Sequence, residues 1–154
     1  MTLRIVLAGL HLLALGIGLG AVWVRGRSLG QRPLDLGAVH RAFTADSWWG
    51  VAAVVWLASG LWRMLGAMEK STSYYTRNVL FMTKMSLFLL ILVLELWPMI
   101  TLMRWRRQVA RAGDAWHTDA GAAARIARIS YAEAGLLVVM VFLAVSMARG
   151  LGAR

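Results

Sequence analysis

Three residues able to carry charge or a proton, His11, Arg63 and Lys84, interrupt otherwise apolar stretches of the chain. At 1.5 Å per helical residue their depths follow from position. His11 lies six residues into a run that begins at Ile5, ~9 Å from its edge. Lys84 lies five residues into a run from Val79, and Arg63 lies five residues before the end of a run at Met68, each ~8 Å deep. A charge at the centre of a membrane span costs at least ~2.5–3.5 kcal/mol, so each such residue needs a partner or a purpose. The shared depth predicts one polar pocket, with His11 as ligand or proton carrier and Lys84 and Arg63 as anion clamps. The plainer alternative is that both cations snorkel along their stems to headgroups, while His11 hydrogen-bonds a neighbouring helix. No carboxylate shares their level. The negative charge is therefore expected from a haem propionate, a quinone oxygen, a lipid phosphate or Glu69 folding back.

The same layer is rich in thioethers: Met64 and Met68 at i, i+4, Met82 and Met85 at i, i+3, and Met147. Methionine with histidine is a soft ligand set suited to Cu(I) or to an axial position on haem iron, which makes His11 the metal-ligand candidate. Methionine is equally the ordinary filler of irregular apolar gaps. A second, inner polar layer holds Glu95, ~12 Å from the inner end of its span if that end is Met103, and Glu133 near the start of the last span. Their nearest cations are expected to be Arg25, Arg104 and Arg128. Ion pairing is one reading of this layer, and a proton relay through Glu95 the sharper one. Pro98, within a turn of Glu95, frees a backbone carbonyl there.

These residues need elements to position them, and composition says which. The 154 residues carry 17 Lys and Arg against 7 Asp and Glu, a formal charge of +10, yet 60% are hydrophobic and only 16% charged. Mean hydropathy is +0.64. Soluble domains run at about 45–50% apolar and about 25% charged, so a basic nucleic-acid binder is excluded and a polytopic membrane protein expected. With no cysteine, disulfides, thiolate metal sites, Fe–S clusters and Cys nucleophiles are excluded too.

A bilayer core needs about 20 apolar helical residues per crossing. Four stretches qualify, at about 5–24, 48–68, 79–103 and 129–147, giving an all-α four-helix bundle in one domain over 1–154. The first reads as a retained span, since no small-x-small cleavage site precedes Arg25. Pro33 opens a candidate interfacial helix at about 34–45, and Asp119 is placed to cap a helix that runs unbroken into the last span. Gly16 and Gly20 suggest a close packing face, with Ser59-Gly60 on the second span as its partner. Gly16, Gly18 and Gly20 imitate a dinucleotide fingerprint, but they sit mid-helix rather than at a strand-to-helix turn.

Ten basic residues fall in the first and third connections (Arg25, Arg27, Arg32, Arg41, Arg104, Arg106, Arg107, Arg111, Arg125, Arg128). Six fall at the other side (Arg4, Arg63, Lys70, Arg77, Arg149, Arg154). The positive-inside rule then puts both termini on the periplasmic side of a bacterial inner membrane. Trp23, Trp48, Trp49, Trp97 and Trp105 mark the cytoplasmic boundary, and Trp62, Tyr74 and Tyr75 the other.

His11-Leu-Leu-Ala-Leu-Gly16, Asn78-Val-Leu-Phe-Met-Thr-Lys84-Met-Ser-Leu-Phe, Ala45-Asp-Ser-Trp-Trp-Gly50, Glu95-Leu-Trp-Pro98 and Arg104-Trp-Arg-Arg107 together resemble a family of small uncharacterised bacterial four-helix membrane proteins. The resemblance covers about residues 5–107 and implies the fold but no activity. More distantly, a first-span His and a third-span Lys at matched depth are similar to the HemJ-type protoporphyrinogen oxidases and the copper-resistance D membrane proteins. The HemJ-type pattern has a His two residues before the Lys, where this chain has Met82. That resemblance implies haem-related roles for His11 and Lys84 alone.

The leading expectation is a membrane protein binding b-type haem or a quinone in a redox role, through His11, Lys84 and Arg63 with Met64, Met68 or Met82 beside them. The competing expectation is an accessory subunit, without chemistry of its own, packed against a larger respiratory or photosynthetic complex or another copy of itself. Copper handling is third. No P-loop, G-x-S-x-G, H-E-x-x-H or other soluble-enzyme motif is present.

Overall fold

The computed structural model describes residues 2–65 and 78–152. Its described residues form four long helices: α1 (Thr2–Leu29), α2 (Leu36–Leu65), α3 (Val79–Ala112) and α4 (Ala120–Ala148), with one short 3₁₀ turn at Gly113–Ala115. Each is long and apolar enough to cross a membrane. Their lengths, 28 to 34 residues, exceed the ~20 that a crossing requires, so each carries extra turns beyond its hydrophobic run.

Local chemistry sets the helix ends. Asp35 accepts from the Ala38 N–H and starts α2. The Asn78 side chain accepts from the N–H groups of Leu80 and Phe81 at 2.9 and 3.2 Å and starts α3. Asp119 accepts from Ala122 N–H at 3.0 Å and starts α4, as its spacing suggested. The Arg32–Pro33 peptide in the α1–α2 connection is cis. After α4 the chain turns back on the start of α3: Asn78 Nδ2 donates to the Leu151 carbonyl and Val79 N–H to that of Gly152, both at 3.2 Å. Gly152 has φ 79°, and a Cβ there would stand 2.6 Å from Leu80 Cγ, so both conformation and space require glycine.

The separate interfacial helix expected at about 34–45 is absent as an independent element. Those residues are the first turns of α2, which runs from Leu36 to Leu65 without a break. No proline or helix-ending signal lies between them and the span, so hydropathy marked the membrane boundary but not a helix boundary.

The expected glycine face also differs. A Cβ at Gly16 or Gly20 would meet nothing within 4 Å, whereas one at Gly18 would stand 2.8 Å from the Trp49 ring. Gly18 is therefore the position where α2 closes on α1. Likewise Gly60 admits the His11 ring, 3.0 Å from where its Cβ would be, rather than a glycine of α1.

Packing is uneven. α1 lies along α2 and also against α4, α4 packs on α3, and α2 and α3 scarcely touch. Two apolar clusters form the core. One gathers Ala21, Val22, Trp49, Trp56, Ile91, Leu137 and Met140, and the other Leu29, Val39, Phe43, Leu102, Trp105 and Ile126. Along every helix a polar residue falls between them: Arg25 on α1, Asp46 on α2, Glu95 on α3, and Ser130 with Glu133 on α4. The bundle is thus an apolar block, a charged layer and a second apolar block.

Candidate functional site

At the end of the bundle holding the N-terminus, α1, α2, α3 and α4 surround a cavity of ≈ 380 Å³. His11 reaches it from α1, Arg63 and Met64 from α2, Lys84 and Met85 from α3, and Met140 and Met147 from α4. His11, Arg63 and Lys84, which share one depth by residue number, all turn toward a common space. Most of the remaining wall is apolar, including Trp56 and Phe88, whose rings meet edge to face with centroids 5.5 Å apart.

His11 is held firmly. Its Nδ1 stands 3.1 Å from the Trp56 carbonyl and 3.0 Å from Ser59 Oγ. A carbonyl only accepts, so Nδ1 carries a proton and donates. Ser59 Oγ itself donates to the same carbonyl at 3.1 Å. The neutral ring therefore keeps its lone pair on Nε2, and an Nδ1–H held by a backbone carbonyl is the arrangement that orients metal-ligating or proton-carrying imidazoles. The ring also tilts against Trp56, centroids 5.7 Å apart. The hydrogen bond to a neighbouring helix and the cavity position thus coexist in one residue.

Of the thioethers named from sequence, Met64, Met85 and Met147 line the cavity, and Met140 joins them. Met82 does not: it is 54% exposed, and Met85, three residues on, takes the inward position. Met68, Glu69, Tyr74 and Tyr75 lie outside the described residues. Among the described lining residues there is no carboxylate. The Trp56 indole Nε1–H is buried and has no acceptor among the described residues. His11, Arg63, Lys84 and Trp56 thus bring nitrogen donors to the wall of a largely apolar space.

The inner layer is organised differently. Arg25, fully buried, donates through Nη1 and Nη2 to the two oxygens of Glu95, both at 2.7 Å. This is the forked geometry that guanidinium and carboxylate share. Nη2 also donates to Glu133 Oε2 at 2.7 Å, Nη1 to Asp46 Oδ1 at 3.0 Å, and Nε to Ser130 Oγ at 2.9 Å. Arg106 supplies a second cation, 2.9 Å from Asp46 Oδ2, and also donates to Ser47 Oγ at 3.0 Å and to the Phe43 carbonyl. Of the three cations expected near Glu95 and Glu133, Arg25 is the one in contact. Asp46, Ser130 and Arg106 were not singled out from sequence as members of this layer. Asp46 carried a signal, as an acid two residues before the Trp48-Trp49 boundary.

The family model for "Predicted membrane protein (DUF2214)" matches residues 3–152. The chain belongs to this family. The match covers both polar layers and all four helices, well beyond the residues 5–107 that carried the resemblance. No curated protein and no solved structure matches the chain. The fold of this DUF2214 protein is all-helical, and its four spanning-capable helices imply contact with a lipid bilayer.

Two cofactor classes can be tested against the residues present. A b-type haem needs an axial nitrogen and cations for its propionates, which His11 with Arg63 and Lys84 would supply, Met64, Met85 or Met140 standing nearby. A quinone needs an apolar slot and donors to its two oxygens, which the same residues and Trp56 would supply. The cavity volume of ≈ 380 Å³ lies within the ~300–1,000 Å³ usual for small-molecule sites. Cu(I) would find a soft set in the same cavity, His11 with the thioethers of Met64, Met85, Met140 and Met147.

Proposed function

We propose that this DUF2214 protein binds a flat, lipophilic redox molecule bearing oxygen acceptors, a b-type haem or a quinone, in the cavity between its four helices. The observation that carries the reading is the meeting of His11, Arg63 and Lys84, from three helices, on one largely apolar cavity. Lys84 and Arg63 hold the ligand's oxygens, whether propionate or quinone carbonyl. Trp56 and Phe88 wall its ring, and His11 presents an oriented imidazole for ligation or proton transfer. Such a group, when bound, supplies one-electron chemistry if haem and coupled electron and proton chemistry if quinone. The protein sits in the bacterial inner membrane with both termini periplasmic, as its distribution of Arg supports. The cavity then faces the outer leaflet.

Purification in mild detergent, followed by a visible absorption spectrum and solvent extraction, tests the proposal and separates its arms. A Soret band lost in His11→Ala supports haem, and a stoichiometric quinone in the extract supports quinone. A colourless preparation with no extractable quinone contradicts both.

A second reading, an accessory subunit within a larger complex, has its own observation. α3 is the least covered helix, and Leu89, Val93 and Leu96 on it are all more than half exposed. Copurification with a large complex, unaffected by Lys84→Ala, supports that reading over the first.

A further inference from the structure

The inner layer brings together more acid than base. Around Arg25 stand Asp46 from α2, Glu95 from α3 and Glu133 from α4, and the second cation, Arg106 of α3, reaches only Asp46. Three carboxylates against two guanidinium groups leave one surplus negative charge. That surplus would be sealed between two apolar clusters, where an uncompensated charge is strongly unfavourable. The strain falls on a specific pair, because Glu95 Oε2 and Glu133 Oε2 both converge on Arg25 Nη2 at 2.7 Å. The other oxygen of Glu133, Oε1, is buried with no hydrogen-bond partner among the described residues. Two carboxyl groups brought this close are relieved most simply by sharing one proton.

We propose that this layer is a proton-binding site, in which Glu95 and Glu133 together hold one exchangeable proton. A metal ion is a poorer occupant, since Arg25 fills the centre and no acidic group of metal-holding geometry occurs among the described residues. The layer has an outlet. Glu133 is sealed at 0% side-chain exposure, while Glu95 and Asp46 reach the surface at 14% and 12%. Glu95 is therefore the accessible member of the pair, and exchange runs through it.

Infrared spectroscopy of the protein at neutral pH, in a detergent without carbonyl groups, reads the proton as a carboxylic C=O band. The expected result is one equivalent per chain, shifting on deuterium exchange and on ¹³C labelling of glutamate carboxyls. Charge balance makes a further demand. Glu95→Gln, Glu133→Gln and Asp46→Asn each bring the layer to two against two, and each abolishes the band, although Asp46 does not itself carry the proton. Arg106→Gln leaves three against one, and the band grows. Absence of the band in the wild-type protein overturns the proposal, as does a band unmoved by glutamate labelling. So does a band that survives in Asp46→Asn. Wild-type and labelled samples decide the matter even where a variant fails to fold, and far-ultraviolet circular dichroism identifies such a variant.

Discussion

The bundle handles buried charge in two ways at its two levels. In the inner layer every helix contributes, and the groups meet one another directly: Arg25 makes contacts of 2.7 to 3.0 Å to three acids and a serine. In the outer layer His11, Arg63 and Lys84 stand around a cavity of ≈ 380 Å³. Direct contact makes the first a clamp that determines how the four helices sit. Open space makes the second, in the function proposed above, a receptor. A membrane bundle gains little hydrophobic drive between its helices, so a shared ionic knot is an effective way to specify their arrangement.

The largest test of that contrast is Arg25→Met. It leaves Asp46, Glu95 and Glu133 converging without their central cation, and removing one partner of a buried ionic group typically costs about 3–5 kcal/mol. The expected outcome is loss of the folded protein, read as a collapse of the thermal transition in detergent. Lys84→Ala is the counterpart at the other layer. It leaves the thermal transition of the ligand-free protein within about 1 kcal/mol of wild type. Ligand binding weakens by about 1.5–3 kcal/mol, tenfold or more in Kd. Equal stability losses in the two variants would erase the distinction between clamp and receptor.

What the sequence made legible, and what it did not, follows one physical line. A straight helix converts residue number into depth, so the common level of His11, Arg63 and Lys84 could be computed before any fold was known. Rotation about the helix axis is a different quantity, because the neighbour against which each face packs determines it. Position along the chain therefore makes Arg25 both an orienting cytoplasmic residue and one of three candidate partners of Glu95 and Glu133, and packing alone makes it the buried hub. Met82 and Met85 share one layer by position and only Met85 faces inward, and Gly16 and Gly20 read as the packing face where Gly18 makes the approach. Asp46 went unassigned for the same reason, since nothing in its position along the chain reveals that it meets Arg25.

Two smaller changes sharpen the comparison. Gly18→Ala places a methyl group 2.8 Å from the Trp49 ring. It is expected to cost about 1–3 kcal/mol through overpacking between the two layers. Gly20→Ala, which meets nothing within 4 Å, leaves stability equal or slightly raised. Thermal unfolding of the pair checks which glycine is the contact. Ser59→Ala removes one support of the His11 ring and costs about 1 kcal/mol. Its more telling effect is on the receptor, where a less firmly oriented His11 broadens the spectrum of a bound haem or slows proton transfer to a bound quinone.

The most direct measurement is the shift in thermal transition when haemin or a short-chain quinone is added to wild-type and Lys84→Ala protein in detergent. A ligand that binds the folded state at a hundred times its Kd stabilises it by about 2.7 kcal/mol. The account predicts a saturable rise in Tm with one of the two ligands for the wild type, and its loss or marked reduction in Lys84→Ala. No shift with either ligand, or the same shift in both proteins, would contradict a receptor built from His11, Arg63 and Lys84.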